Sequence, residues 1–247
     1  MSALEGSRSR SFCSTVGLVF TSPLLIGTAL FVTSVALLPL QASAAVGTLC
    51  LMGLVMWHHK LPTRILYEMS VSDLIIRDYL TRLFPRWVHQ RWWHQITENL
   101  YLGGVPLASR GHLQSILNLN VNAVLAILEE QESTLETFFS QPVLPSDWRE
   151  NQVAYERIAC ADMHALTPEN LNQAVEQLHN WIQAGKTVYL HCKAGRGRSA
   201  MVVIGYFIRY KHLPLYDAIQ KLRSVRSVVR FQPCQVEALK QFEKTIP

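Results

Sequence analysis

Charge is scarce in this chain of 247 residues, because only 17% of them are Asp, Glu, Lys or Arg. Soluble domains normally hold about a quarter. The shortage is concentrated in the first sixty residues, which indicates an N-terminal part that is not an ordinary soluble surface. The net charge of +5 suits an anionic substrate or a membrane surface, although it is spread too widely to distinguish them.

Other features are missing as well. The five cysteines, at positions 13, 50, 160, 192 and 234, have neither paired nor metal-like spacing. We therefore expect no disulfide, no metal site and a reducing compartment for the catalytic part. The string Gly-x4-Gly-Lys-Ser/Thr does not occur, which excludes a Walker nucleotide loop. We expect neither an organic cofactor nor a nucleic-acid partner.

One stretch organises the rest of the chain. Residues 188–200, Val-Tyr-Leu-His-Cys-Lys-Ala-Gly-Arg-Gly-Arg-Ser-Ala, are typical of a short apolar strand, a tight loop and the start of an apolar helix. Cys192 and Arg198 enclose five residues, the Cys-x5-Arg spacing of a phosphate-binding loop with a cysteine nucleophile. An isolated cysteine is usually a core residue, but here Cys, two Gly, Arg and Ser coincide at fixed offsets.

The chemistry explains this spacing. Gly195 and Gly197 allow backbone angles that aim N–H groups at a phosphate, and the following helix adds its positive N-terminal end. Arg198 can grip two phosphate oxygens, and the same field favours the thiolate of Cys192. Ser199 can hydrogen-bond the sulfur, whereas His191 orders the loop. The predicted phosphate-binding residues are Lys193, Ala194, Gly195, Arg196, Gly197 and Arg198.

The string His-Cys-Lys-Ala-Gly-Arg-Gly-Arg-Ser resembles the signature of cysteine-dependent dual-specificity phosphatases. It is most similar to the phosphatidylglycerophosphate phosphatase branch of mitochondria and plants, and tensin-related inositol-lipid phosphatases carry a similar basic loop. The resemblance covers about residues 97–246. It implies a protein-tyrosine-phosphatase-like α/β domain with a central sheet flanked by helices, and it is more specific for the reaction than for the substrate.

The leaving alcohol needs a proton donor, because expelling an alkoxide is costly. The resemblance implies that Asp162, thirty residues before the cysteine, has this role, and Asp162-Met163 matches an Asp-Met pair of that branch. The branch usually continues with Gly and a close Pro, but here Pro168 lies one place later and no Gly precedes it. Glu156 and His164 are the alternative donors.

Two apolar runs precede the catalytic part. After a polar tail, residues 1–14, run 15–40 is long enough to span a bilayer and run 44–57 is marginal alone, with a break at residues 41–43. We predict a transmembrane helical hairpin over 15–57 with the catalytic domain on the cytosolic side, since basic residues flank both outer ends. A signal peptide cleaved near Ala42-Ser43-Ala44 is the alternative.

Arginines and tryptophans then interleave over residues 58–95, with Pro85 as a break. We predict an amphipathic linker in the lipid headgroup layer, the alternative being a helix packed on the domain. The catalytic domain is predicted over 96–247, with a first strand at 99–104 and a short helix near 135–139. Leu213-Pro214 separates two later helices, and a basic cluster (Lys221, Arg223, Arg226, Arg230) faces a membrane, a substrate or solvent.

The sequence therefore predicts a membrane-bound phosphomonoester hydrolase that forms a cysteinyl-phosphate intermediate. A phospholipid such as phosphatidylglycerophosphate is the preferred substrate, because the predicted tether, the extra loop charge and the resemblance agree. A phosphoinositide and a phosphoprotein are the alternatives within the same chemistry. A phosphate-binding adaptor without catalysis is the non-enzyme alternative, which the intact Cys, Arg and Asp disfavour.

Overall fold

Two largely apolar runs form the centre of a five-stranded sheet, because a strand buried on both faces needs no polar alternation. The computed structural model describes residues 63–83, 91–134 and 141–246. The strand order is β1-β2-β5-β3-β4; β1 is antiparallel to β2 and the other neighbours are parallel. The strands are β1 (Trp93–Thr97), β2 (Leu100–Gly103), β3 (Ala123–Ile127), β4 (Ala154–Ile158) and β5 (Val188–His191).

Helices cover both faces of this sheet. The larger hydrophobic cluster contains buried residues of α1, α5, α6, α7 and α8, and the smaller cluster joins α2 and α4 to the opposite face. The helices are α1 (Thr63–Leu83), α2 (His112–Leu117), α3 (Glu130–Thr134), α4 (Pro145–Glu150), α5 (Pro168–Gln183), α6 (Arg198–Lys211), α7 (Leu215–Val225) and α8 (Pro233–Thr245), with a 3-10 turn at Ala108–Arg110. The predicted central sheet with flanking helices is confirmed, and the structure shows that this sheet is mixed.

Local signals set several element boundaries as the sequence predicts. The Thr167 hydroxyl accepts a hydrogen bond from the Asn170 amide at 3.2 Å, and Pro168 takes the first position of α5. Gly185 follows that helix with a φ of +75°. Helix α6 ends at Lys211, just before the Leu-Pro pair. Helix α6 is buried almost throughout, so it fixes the end of the catalytic loop against the core.

The start of the sheet differs from the prediction. The segment 99–104 is the second strand rather than the first, because β1 begins at Trp93, inside the predicted linker. Trp92 is buried, and its indole N–H donates to the Val105 carbonyl at 3.1 Å. Trp93 packs edge-on against Tyr189. These two tryptophans therefore belong to the domain, and Trp92 is not available to a headgroup layer.

Helix α1 packs on the catalytic domain along one face. Tyr67, Val71, Leu74 and Asp78 are buried at spacings of three and four residues, as one stripe of a helix requires. The Asp78 carboxylate accepts from the Trp92 amide at 3.2 Å and lies 3.4 Å from the Arg110 guanidinium. All described residues belong to one compact unit that begins at residue 62, so α1 is part of this domain.

Several predictions lie outside the described residues. They are the tail at 1–14, the hairpin at 15–57, the break at Pro85 and the short helix near 135–139. Within residues 63–83, 91–134 and 141–246, no helix combines the length and the apolar character that a bilayer span requires.

Candidate active site

The loop 192–197 connects the C-terminal end of β5 to α6. Strand β5 lies between β2 and β3, so this loop opens at the centre of the sheet edge where α/β proteins bind their ligands. A cavity of about 290 Å³ lies above it. Its lining comprises Asp162, Met163, Cys192, Lys193, Ala194, Arg196, Gly197, Arg198, Arg230, Gln232 and Gln235.

Four successive carbonyls of the loop are held from outside the cavity. The Lys193 carbonyl accepts from the Val105 amide at 3.0 Å, and the Arg196 carbonyl accepts from the Arg230 amide at 3.1 Å. The buried Arg226 guanidinium donates to the two carbonyls between them, those of Gly195 at 2.8 Å and Ala194 at 3.2 Å. Carbonyls fixed in this way leave the loop amides free to serve an anion.

Gly195 is required by both conformation and space. Its φ is +63°, and a Cβ there would lie 2.2 Å from the Gly103 carbonyl oxygen, so no side chain fits. Gly197 differs from the prediction, because its φ of −117° is open to other residues. A Cβ at Gly197 would lie 3.0 Å from the Gln235 side chain, so limited space, rather than backbone conformation, favours glycine here.

Cys192 is buried at the floor of the cavity. Burial alone would raise the pKa of its thiol, but the Arg198 charge and hydrogen bonds from Ser199 and Gly195 outweigh burial and lower it. The Ser199 hydroxyl and the Gly195 amide each lie 3.2 Å from the sulfur. These surroundings favour the thiolate, which is the reactive form of cysteine.

Glu132 is a site residue that the sequence analysis missed. Its carboxylate accepts hydrogen bonds from both terminal nitrogens of Arg198, at 2.5 and 3.0 Å, and both side chains are buried. Burial would lower the pKa of Arg198, but the Glu132 hydrogen bonds and the Cys192 and Asp162 charges raise it. The pair fixes the plane of the guanidinium. The only signal in the sequence is an acidic run, Glu129, Glu130 and Glu132, directly after β3.

Asp162 contacts the same guanidinium through Nη2. Its carboxylate lies 2.9 Å from Arg198 and forms an ion pair with Lys193. Burial would raise the pKa of Asp162, but the charges of Arg198 and Lys193 lower it. The alternative donors are less well placed, since neither Glu156 nor His164 lines the cavity.

The remaining site residues have structural positions. His191 is buried beside the Cys192 carbonyl, 3.2 Å from Nδ1, and burial lowers its pKa to about 4. Arg226, which we had assigned to an exposed basic cluster, is instead fully buried; its Nη1 also contacts His94 Nδ1 at 2.8 Å. No local pattern distinguishes this arginine from its exposed neighbours, so its role required the fold.

A buried cysteine with a lowered pKa, in a Cys-x5-Arg loop between a central strand and a helix, is typical of a cysteine-dependent phosphatase. The family "Dual specificity phosphatase, catalytic domain" matches residues 100–245. The chain therefore belongs to the dual-specificity phosphatase family, and it is a cysteine-dependent phosphatase. The crystal structure of PTPMT1 in complex with PI(5)P is similar in fold, with 32% identity and a TM-score of 0.54 over 62% of this chain and 95% of that chain.

Two relatives are similar over most of their length. The "Phosphatidylglycerophosphatase and protein-tyrosine phosphatase 1" of Rattus norvegicus is 33% identical over 64% of this chain and 79% of the relative. The "Phosphatidylglycerophosphate phosphatase PTPMT2" of Arabidopsis thaliana is 32% identical over 73% of each chain. These comparisons confirm the resemblance of the sequence to the phosphatidylglycerophosphate phosphatase branch of the dual-specificity phosphatases.

Proposed function

We propose that this chain hydrolyses the terminal phosphomonoester of a phospholipid, with Cys192 as nucleophile and Asp162 as proton donor. The Cys192 sulfur attacks phosphorus, the bond from phosphorus to the leaving oxygen breaks, and the Asp162 proton passes to that oxygen. Water then attacks the phosphocysteine and gives a proton to Asp162. The sulfur–phosphorus bond breaks, which releases inorganic phosphate and restores the thiolate.

The loop supplies the electrostatic part of this reaction. The amides from Lys193 to Arg198 and the Arg198 guanidinium stabilise the equatorial oxygens, where charge collects in the transition state. Ser199 donates to the sulfur and so stabilises it as the leaving group of the second step. The single observation that carries the mechanism is the buried Cys192 sulfur, with a hydroxyl and an amide at 3.2 Å, at the floor of the cavity.

Asp162 must change its protonation state during this cycle. In the empty site its pKa is lowered by the Arg198 and Lys193 charges, so it is ionised near neutral pH. A bound phosphate dianion contacts Arg198 in place of Asp162, and it adds negative charge beside the Asp162 carboxylate. Both effects raise the pKa of Asp162. Substrate binding therefore favours the acid form that the first step needs.

The intermediate provides a direct test of the nucleophile. An Asp162→Asn protein, acid-quenched during turnover of an aryl phosphate, should carry a phosphate adduct on the peptide that contains Cys192. An adduct on any other peptide would contradict the mechanism. Cys192→Ser protein treated in the same way is the control.

The lipid substrate is supported by the relatives. The relative from Arabidopsis is named as a phosphatidylglycerophosphate phosphatase, and the relative from rat is named as both a phosphatidylglycerophosphatase and a protein-tyrosine phosphatase. The basic side chains of Lys193 and Arg196 line the cavity. We would compare phosphate release from phosphatidylglycerophosphate, a phosphoinositide and a phosphotyrosine peptide with one full-length preparation in detergent. Faster turnover of the lipids is expected, whereas a much faster peptide reaction would overturn the substrate assignment.

We also propose that the N-terminal part anchors the chain to a membrane with the catalytic domain on the cytosolic side. The apolar runs at 15–40 and 44–57 support this proposal, as does a stripe of half-exposed apolar residues on α1, formed by Ile76, Tyr79 and Leu83. Protease access to the domain in sealed vesicles of known orientation tests it. Protection of the domain on the cytosolic side would contradict the topology.

A further inference from the structure

Two arginines line the mouth of the cavity, and a third, on α1, is joined to them through an aspartate. Arg196 belongs to the loop and Arg230 to the connection between α7 and α8, and both line the cavity. The Arg230 amide donates to the Arg196 carbonyl at 3.1 Å, which joins the two segments. Arg77 comes from α1, where Asp73 lies 2.7 Å from Arg77 and 3.6 Å from Arg196. Asp73 is thus the acid that links the α1 arginine to the loop arginine.

The positive charge of this group is incompletely balanced. Burial is the main influence that lowers the pKa of Arg196; the charge of Asp73 opposes it, and the charges of Arg77 and Arg230 add to it. A group of three guanidinium groups beside one carboxylate is favourable where an anion binds between them. Lys193 and Arg198 differ, since they contact Asp162 and Glu132, whereas Arg77 and Arg196 share the single carboxylate of Asp73.

We propose that Arg77, Arg196 and Arg230 form a second phosphate site at the mouth of the cavity. This inference rests on the proposed function and deepens it. The phosphomonoester that reacts lies at Cys192, and a second phosphate, joined to it through a short polyol, is held at the rim. The substrate class is therefore a molecule with two phosphate groups, such as a lipid whose headgroup carries a phosphodiester next to a terminal phosphomonoester.

The second phosphate has two possible sources with the same chemistry. It belongs to the substrate itself, or it belongs to a neighbouring anionic lipid at the bilayer surface. Arg230 is the best position at which to test both sources. Its side chain is exposed, and its hydrogen bond to the loop comes from its backbone amide, which a substitution preserves. Arg223 is an exposed arginine of α7 outside the cavity lining and serves as the matched control.

The first experiment uses soluble competitors and needs no lipid substrate. Aryl phosphate turnover by the full chain in detergent is competed by propane-1,3-diol bisphosphate or by the corresponding monophosphate. We expect the bisphosphate to compete about tenfold better, as one charge-assisted phosphate contact would give. Arg230→Gln should remove most of that preference, Arg230→Lys should keep part of it, and Arg223→Gln should keep all of it.

The second experiment separates the two sources. For each protein, kcat/KM on phosphatidylglycerophosphate is divided by kcat/KM on phosphatidic acid, a lipid phosphomonoester without a second phosphate, in neutral and in anionic mixed micelles. A fall of about tenfold in this ratio for Arg230→Gln in neutral micelles assigns the site to the substrate's own phosphodiester. A fall of both lipid rates confined to anionic micelles assigns it to a neighbouring lipid.

The outcomes against the proposal are equally defined. An unchanged bisphosphate preference in Arg230→Gln, together with unchanged lipid ratios, overturns the second site. Equal loss with every substrate and competitor overturns it as well, because it would indicate a general effect on the loop. Failure of the proposed lipid function is distinct, since it would appear in the unmodified protein as preferential turnover of the phosphotyrosine peptide.

Discussion

The floor and the mouth of the cavity are built in opposite ways. At the floor, the side chains of Cys192, Arg198 and Ser199 are at most 3% exposed and each has hydrogen-bond partners. At the mouth, the side chains of Arg196 and Asp162 are 30% and 37% exposed. The difference separates two tasks: several buried contacts fix the reacting atoms, whereas partly exposed charges can exchange partners with a substrate.

The largest effect is expected at the floor, with Cys192→Ser. A serine hydroxyl is not ionised near neutral pH, so the nucleophile is lost and kcat should fall at least about a thousandfold on every phosphomonoester. Phosphate release from an aryl phosphate and from the lipid measures this. Retained activity on either substrate would show that the two regions do not divide the work as described.

Asp162→Asn tests the part of the mouth that takes part in the chemistry. Loss of the proton donor should reduce kcat about a hundredfold or more on lipid substrates. The loss should be smaller on an aryl phosphate, because a phenolate leaves more easily than an alkoxide. The fall in rate at alkaline pH, where a carboxyl acid loses its proton, should also disappear from the pH profile. Equal losses on both leaving groups would argue for a purely electrostatic role.

Arg226→Met tests whether the floor depends on a residue that never meets the substrate. The substitution leaves the Ala194 and Gly195 carbonyls without their buried guanidinium partner. We expect the free energy of unfolding to fall by about 3 kcal/mol, as for other buried charged contacts. Arg223→Met, at an exposed position, should have little effect in the same denaturation experiment. Equal free energies of unfolding for the two variants would contradict the role of Arg226 in stabilising the loop.

A lower pH should reduce the stability of the folded protein through His191, which precedes Cys192. Burial lowers its pKa in the folded protein to about 4, against about 6.5 in the unfolded chain. Between these values the unfolded chain binds a proton that the folded protein does not, so stability is lost as the pH falls from 6.5 towards 4. We expect a contribution of about 2 kcal/mol between pH 7 and pH 5.

Unfolding measured at both pH values, in wild type and in His191→Gln, checks this contribution. The change in stability between the two pH values should be smaller in the variant, whatever its absolute stability. Substitution of the exposed His212 by Asn is the control, and its pH dependence should match that of the wild type. A variant as acid-sensitive as the wild type would contradict the assignment.

The smallest effect is expected from Ser199→Ala. Its hydroxyl is one of several groups that lower the thiol pKa, after the charge of Arg198. The acidic limb of the kcat/KM profile should therefore move to higher pH, with a modest loss at the optimum. A Ser199→Thr protein keeps the hydroxyl and should retain the wild-type limb, so an identical shift in both variants would indicate a packing effect instead.

Sequence reasoning succeeded where the signal is local. The strand, the loop and α6 follow from one continuous stretch, and the Thr167 cap and Pro168 lie side by side in the chain. It failed where partners are distant: Glu132 lies 66 residues from Arg198, and Arg226 lies 31 residues from Gly195. A buried cation implies a carboxylate partner, but only the sheet order, which puts β3 beside β5, identifies which carboxylate.

The linker prediction failed in part for the same reason. Tryptophans that alternate with arginines fit a headgroup layer and a domain surface equally well, and the hydrogen bond from Trp92 to Val105 decides for the domain. The helical periodicity of α1 is local, but the identity of the surface that covers its buried face is not.

Helix α1 lies before the residues that match the family, 100–245, yet its Asp73 braces Arg196 and its Tyr67 ring lies 5.7 Å below the Lys193 ammonium. A shortened protein that begins at β2 would keep Cys192, Arg198 and Asp162 in its sequence, but it would lose α1 and β1, which belong to the same domain. It would also lose the α1 side chains that contact Arg196 and Lys193. Substrate preferences measured on the shortened and the whole chain should therefore diverge even where their turnover of aryl phosphates agrees.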